Sequence, residues 1–242
     1  RQYTVENAKA DILYVHGYTE NSEVHIPTAE YFNSKQFNVY MIDLPGHGKS
    51  EGRPGYVWDF DDYVKIVYEY SKMIKKGHMF NDKDFPLFLI GFSISGLTVT
   101  RISSDEEMSK IYRGIIAVNP AIWEKIWYLY LGVFYYFAYI ISVIFPGFTL
   151  FFTDERMFKN KSLAKEFYEN KPGVLTVNNV HTCLEMKRVG LIEAERSECL
   201  PFLLMQSLND GIVDCRGSFE RSLHFKNEKS ELYPIKYQNH MV

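Results

Sequence analysis

The sequence predicts an α/β fold, a mostly parallel central sheet flanked by helices, and three observations carry that prediction. Short, continuously apolar runs recur along the chain, the pattern of strands buried on both faces. Each run ends in a glycine-, proline- or aspartate-rich turn. Segments with helical spacing lie between the runs, and strands alternating with helices build sheets covered by helices.

Taken in order, the runs are "ILYVHG" (12–17), "NVYMIDLPGHG" (38–48), "PLFLIG" (86–91), "GIIAVNP" (114–120), "PFLLMQSLND" (201–210) and "LYPIKYQNH" (232–240). Between them, "FDDYVKIVYEYSKMIKKG" (60–77) repeats apolar residues at Val64, Val67, Tyr68 and Ile74 and closes on lysines and Gly77, a helix stop. The segment "ISGLTV" (94–99) starts a helix directly behind the third run, and "DCRGSFERSLHFKN" (214–227) opens on a capping aspartate. Residues 121–195 break the rhythm. They are mostly helical in pattern and read as an inserted cap or lid, leaving 1–120 and 196–242 as the core.

Composition bounds the function. At 242 residues and 46% hydrophobic, the chain can bury one sizeable core. A net charge of −3 with no basic patch argues against a nucleic-acid partner. Three cysteines are an odd number without metal-ligand spacing, which argues against a disulfide framework and fits a reducing compartment. A cytoplasmic or peripherally membrane-associated protein is the expectation. The chain opens at Arg1 without an initiator methionine, so further terminal sequence is expected.

The stretch "LFLIGFSISGL" (87–97) carries the chemistry. Ligands of parallel sheets bind at the carboxyl ends of strands. A serine on a sharp strand-to-helix turn there projects its hydroxyl outward, near a helix N-terminus. Such a turn tolerates only small residues two positions before and two after the nucleophile. Ser93 has Gly91 and Ser95 there, whereas Ser95 has Ser93 and Leu97, so Ser93 is the better candidate. From this stretch alone, close strand–helix packing remains the competing reading.

A serine needs a base and an orienting acid. The acid should follow a later strand and the histidine should come near the end. Asp210 closes "PFLLMQSLND"; Asp214 competes but sits where a helix begins and reads as an N-cap. His16, His25, His47, His78 and His181 all precede Asp210, and His224 lies inside a helical pattern. His240, after the last run, is the expected base. The backbone N–H groups of Ile94 and Tyr18 are the expected oxyanion donors, with His16 bracing the loop. The turn "DLPGHGKSEG" (43–52) lacks phosphate-loop spacing, so a nucleotide reading is poor and His47 is expected to hold a loop.

Together "HGYTENS", "DLPGHGKSEG", "GFSISG", "SLNDGIVD" and "YQNH" resemble the serine α/β-hydrolases of the monoacylglycerol lipase and lysophospholipase group. The resemblance spans nearly the whole chain. It implies the α/β-hydrolase fold with a helical cap, a Ser93–His240–Asp210 triad, oxyanion donors Tyr18 and Ile94, no metal or cofactor, and a lipid ester as substrate. Glu20, Phe92 and Ile212 are assigned to substrate contact. The chain departs from the family pattern at Phe92 and Ser95, where histidine and glycine are usual. Glu20 matches a family glutamate, but no arginine follows it, which weakens a monoacylglycerol headgroup.

The stretch 126–153 has no charge and twelve aromatics, long enough on paper to span a bilayer. A single span would separate Ser93 from Asp210 and His240, so a lid helix with an apolar face open to lipid, giving peripheral membrane contact, is favoured over internal packing. An esterase is the leading function. A catalytically weak or inactive lipid-binding protein on the same fold is the alternative, and an integral membrane protein a third.

Overall fold

The computed structural model describes residues 1–78, 85–125, 132–152, 173–175, 177–236 and 239–240. A seven-stranded sheet runs through its centre: β1 (Gln2–Tyr3), β2 (Ala10–Val15), β3 (Phe37–Ile42), β4 (Leu87–Phe92), β5 (Gly114–Val118), β8 (Phe202–Ser207) and β9 (Glu231–Ile235). Their spatial order is β1-β3-β2-β4-β5-β8-β9. All neighbours pair in parallel except β1 with β3. A separate antiparallel pair joins β6 (Thr149–Phe152) to β7 (Val177–Asn179). The six apolar runs of the sequence thus become the six parallel strands, and this is an α/β-hydrolase fold.

Alternation within β2 and β4 explains why the runs look continuously apolar. Leu13, Val15 and Leu89 enter one core, while Ile12, Tyr14 and Ile90 enter the other. Both faces exclude water, so these strands are apolar throughout except at Asp11, whose buried carboxylate accepts from Asn38 Nδ2 at 2.9 Å. Helix α1 (Ile26–Ser34), begun by a proline in its first turn, covers the second face through Ala29 and Phe32. Helices α2 (Phe60–His78) and α3 (Ile94–Ser103) lie on the first face. In α2 Val64, Val67 and Ile74 of the predicted stripe are buried, while Tyr68 is half-buried and Tyr63 takes the core position instead.

A short helix α4 (Glu106–Ser109) leads to β5, and α5 (Gly132–Ile144) follows it. Helix α6 (Val180–Ala194) falls inside the segment assigned to a cap. Yet Met186, Val189 and Ala194 belong to the main core, with Ala121 and Ile122. Gly190 explains the fit: a Cβ there would strike the Ile122 carbonyl oxygen at 1.9 Å, so only glycine lets α6 pack this closely. Of residues 121–195, the described ends therefore belong to the core layer. Helix α7 (Cys215–Leu223) is capped by Asp214, whose side chain accepts from the Arg216 N–H, as expected from the sequence. Its fully buried Arg221 donates to Glu193 of α6 and to Ser103 and Ser104 beside α3.

Part of the aromatic stretch, 126–131 and residue 153, lies outside the described residues. The described helix α5 has 13 residues, about 20 Å at 1.5 Å per residue, against a bilayer core of about 30 Å. Among the described residues, no helix is long and apolar enough to cross a membrane. His181 holds α5 to the core: its Nε2 lies 2.9 Å from the Trp58 carbonyl and its Nδ1 3.1 Å from Ser142 Oγ.

Candidate active site

The carboxyl ends of β4, β8 and β9 bring Ser93, Asp210 and His240 together. Ser93 follows β4 with φ 55° and ψ −114°, a backbone conformation that L residues seldom adopt. The turn forms because Gly91 clears it: a Cβ at that position would meet the Ser95 carbonyl oxygen at 2.2 Å. Buried packing of α3, including Ile94, Leu97 and Val99, holds the strained residue in place.

His240 Nε2 lies 2.9 Å from Ser93 Oγ, and His240 Nδ1 lies 2.7 Å from Asp210 Oδ2. With the carboxylate as acceptor, Nδ1 carries the proton and Nε2 is free to accept from the serine hydroxyl. Asp210 is fixed in turn. Its Oδ1 accepts from the N–H groups of Ile212 and Val213, each at 2.8 Å, and its carbonyl accepts from Lys125 Nζ at 2.6 Å. Asp214 is bound to Arg216 instead, so Asp210 is the carboxylate that meets the histidine.

Two asparagines that sequence reasoning passed over complete this frame. Asn119, just beyond β5, donates from Nδ2 to the His240 carbonyl at 2.7 Å and accepts from Ser207 N–H at 2.7 Å. Asn239 accepts from Gly211 N–H at 2.8 Å. The available signal was positional: each is a polar residue at or after a strand end, beside a proline or beside the histidine itself.

The loop after β2 is built from buried polar groups. His16 accepts from Leu44 N–H through Nε2 at 3.0 Å and donates from Nδ1 to the Gly17 carbonyl at 2.7 Å. Burial holds its pKa below the usual histidine range. It braces the loop, as expected. Among the described residues, neither Tyr18 N–H nor Ile94 N–H has a hydrogen-bond partner. The Tyr18 phenol donates to the Gly55 carbonyl at 2.7 Å and accepts from Asn179 N–H at 2.9 Å.

Glu20 corrects the sequence reading. It is fully buried, and its Oε2 accepts from Gly17 N–H at 2.8 Å and pairs with His25 Nε2 at 2.9 Å. Burial pushes its pKa up, but His25 and the Gly17 N–H outweigh this and hold it below the usual range. A carboxylate enclosed in this way cannot touch a headgroup; it holds the loop from below. Phe92 is also buried, with its ring 5.3 Å from that of His240. Ile212 is half-buried against the main core.

His47 and Asp43 shape the neighbouring turn. Asp43 accepts from Ser22 N–H at 2.7 Å and Lys49 N–H at 2.9 Å. Burial and the nearby His16 push the His47 pKa down to about 3, so this ring is neutral.

The comparisons agree with this architecture. Mouse (Mus musculus) monoglyceride lipase is 25% identical over 218 residues, covering 87% of this chain and 68% of that protein. The crystal structure of Paleococcus ferrophilus monoacylglycerol lipase superposes with a TM-score of 0.79 at 25% identity, covering 99% of this chain and 90% of that one. A soluble variant of Saccharomyces cerevisiae monoglyceride lipase, solved with a substrate analog, gives a TM-score of 0.78 at 17% identity, covering 99% and 82%. The second likeness speaks for the fold. The model of the family described as serine aminopeptidase, S33 (Hydrolase_4) matches residues 6–242. The chain belongs to that family, as a monoglyceride-lipase-like α/β-hydrolase.

Proposed function

We propose that this protein is a serine esterase that cleaves the acyl ester of a lipid, a monoacylglycerol or lysophospholipid, through an acyl-enzyme intermediate. The hydrogen-bonded line Asp210–His240–Ser93 carries the reading. His240 Nε2 takes the Ser93 proton as Oγ attacks the ester carbonyl, and Asp210 stabilises the resulting imidazolium. The Ile94 and Tyr18 N–H groups receive the oxyanion. Collapse of the tetrahedral intermediate expels the alcohol, which takes the proton from His240. Water, activated by the same histidine, then releases the fatty acid.

Kinship with monoglyceride lipases supports a lipid ester over a small soluble one. The exposed face of α5 supports it as well: Tyr136, Phe137, Ile140 and Ile144 lie open, with Phe145 just beyond. Apolar surface of this kind usually has a partner, and we assign it to the surface of a membrane or lipid aggregate. With Glu20 buried, the headgroup is read by other groups.

The test is labelling with a fluorophosphonate probe beside a panel of lysophosphatidylcholine, monoacylglycerol and short aryl esters. Labelling and turnover of a lipid ester are expected in the wild type, and both should vanish in Ser93→Ala. Labelling that persists in Ser93→Ala, or is lost only in Ser95→Ala, would sink the assignment. Lipid retention without turnover would favour the binding-protein alternative.

A further inference from the structure

Ser95 entered the sequence reading only as a residue small enough for the turn. The structure gives its hydroxyl a partner. Ser95 Oγ donates to the His16 carbonyl at 2.5 Å, across 79 positions of sequence, and the residue is fully buried. Ser95 directly follows Ile94, and His16 stands two residues before Tyr18. This bond therefore ties together the two segments whose N–H groups are assigned to the oxyanion.

The other contacts of the loop make the tie consequential. The Gly17 carbonyl is held by the His16 ring, and the Gly17 N–H by Glu20. Only glycine fits at this position, because a Cβ there would stand 2.8 Å from both Glu20 Oε2 and the Phe92 ring. These contacts fix the loop within itself, and the Leu44 N–H bond to His16 fixes it to the turn after β3. The Ser95 bond fixes it against the helix that carries Ile94. Two donors on separate elements serve one oxyanion only if each lies about 2.7–3.1 Å from it.

We propose that Ser95 is a positioning residue of the oxyanion site, its Oγ–H···O=C bond to His16 setting the spacing between the Tyr18 and Ile94 N–H groups. The inference rests on the esterase reading above. A residue without a side-chain donor at this position would leave that spacing to packing alone.

The experiment compares wild type, Ser95→Ala and Ser95→Gly on a matched oxoester and thionoester. Sulfur is larger and a weaker hydrogen-bond acceptor than oxygen, so a well-spaced pair of donors discriminates against the thionoester and a loosened pair does so less. In both variants kcat for the oxoester should fall on the order of tenfold, with KM changed less than about twofold. The oxoester-to-thionoester ratio of kcat/KM should shrink with it. That ratio does not depend on the fraction of folded enzyme, so a variant that folds poorly still gives an answer. An unchanged ratio in both variants overturns the proposal. If Ser93→Ala keeps its activity, the esterase reading fails; if Ser93→Ala is inactive and the ratio is unchanged, only the role of Ser95 fails.

Discussion

Asn119 Nδ2 donates to the backbone carbonyl of His240 at 2.7 Å, while Asn119 Oδ1 accepts from Ser207 N–H at the end of β8. One carboxamide thus locks the strand that leads to Asp210 and the segment that carries the histidine. Its own backbone, at φ 43°, lies in the left-handed region that asparagine tolerates better than most residues. Asn119→Ala removes one hydrogen bond from the buried His240 carbonyl and one from the buried Ser207 N–H, a cost of about 1 kcal/mol each. We expect lower stability in urea titration, and a fall in kcat that exceeds any change in KM.

Asp210→Asn separates orientation from charge. The amide retains an oxygen for the Ile212 and Val213 N–H groups, but it presents its NH2 to His240 Nδ1. The imidazole must then carry its proton on Nε2, where it cannot accept from Ser93. Steady-state kinetics should show kcat reduced by about 10⁴-fold, with thermal stability near that of the wild type.

Gly91→Ala tests the elbow itself. The new methyl would fall 2.2 Å from the Ser95 carbonyl oxygen, which is backbone and cannot swing aside. We expect destabilisation by more than about 2 kcal/mol together with loss of probe labelling. Gly77→Ala in α2, where an added Cβ meets nothing within 4 Å, is the control and should be neutral or stabilising by up to about 1 kcal/mol.

Buried titratable groups set opposite pH trends. Burial pushes the Glu124 carboxyl up to about 8 from an ordinary 4.5, only partly offset by a hydrogen bond from its own backbone and by Lys187. Between those values the folded state holds a proton that the unfolded state has released, so this group costs stability as pH rises. His47, at about 3 against an ordinary 6.5, acts in the other direction. Below 6.5 the unfolded state binds the proton and the folded state does not, so stability falls as pH drops toward 3. Glu124→Gln should therefore raise the Tm more at pH 8 than at pH 5, and His47→Gln should flatten the decline below pH 6.5. Equal effects of either variant at both ends of its pH window would contradict these assignments.

Periodicity and turn chemistry made much of this protein legible before any coordinates. The six parallel strands, the amphipathic stripe of α2 and the Asp214 cap are local matters, fixed by which residues must avoid water and which side chains satisfy a helix end. The preference for Ser93 over Ser95 was equally local, because it follows from the steric limits of one turn. Three things were decided only by tertiary structure. Glu20 was assigned to substrate contact through its match to a family glutamate, yet folding buries it, bonded to the Gly17 N–H and to His25. Helix α6 looked like cap, yet Gly190 lets it enter the core beside Ile122. The hydroxyl of Ser95 and the carboxamide of Asn119 looked unremarkable, yet each finds a backbone carbonyl far away in sequence. The reason is common to all three: what a buried group meets is set by which segments the sheet order brings together, and residue spacing along the chain carries no record of that.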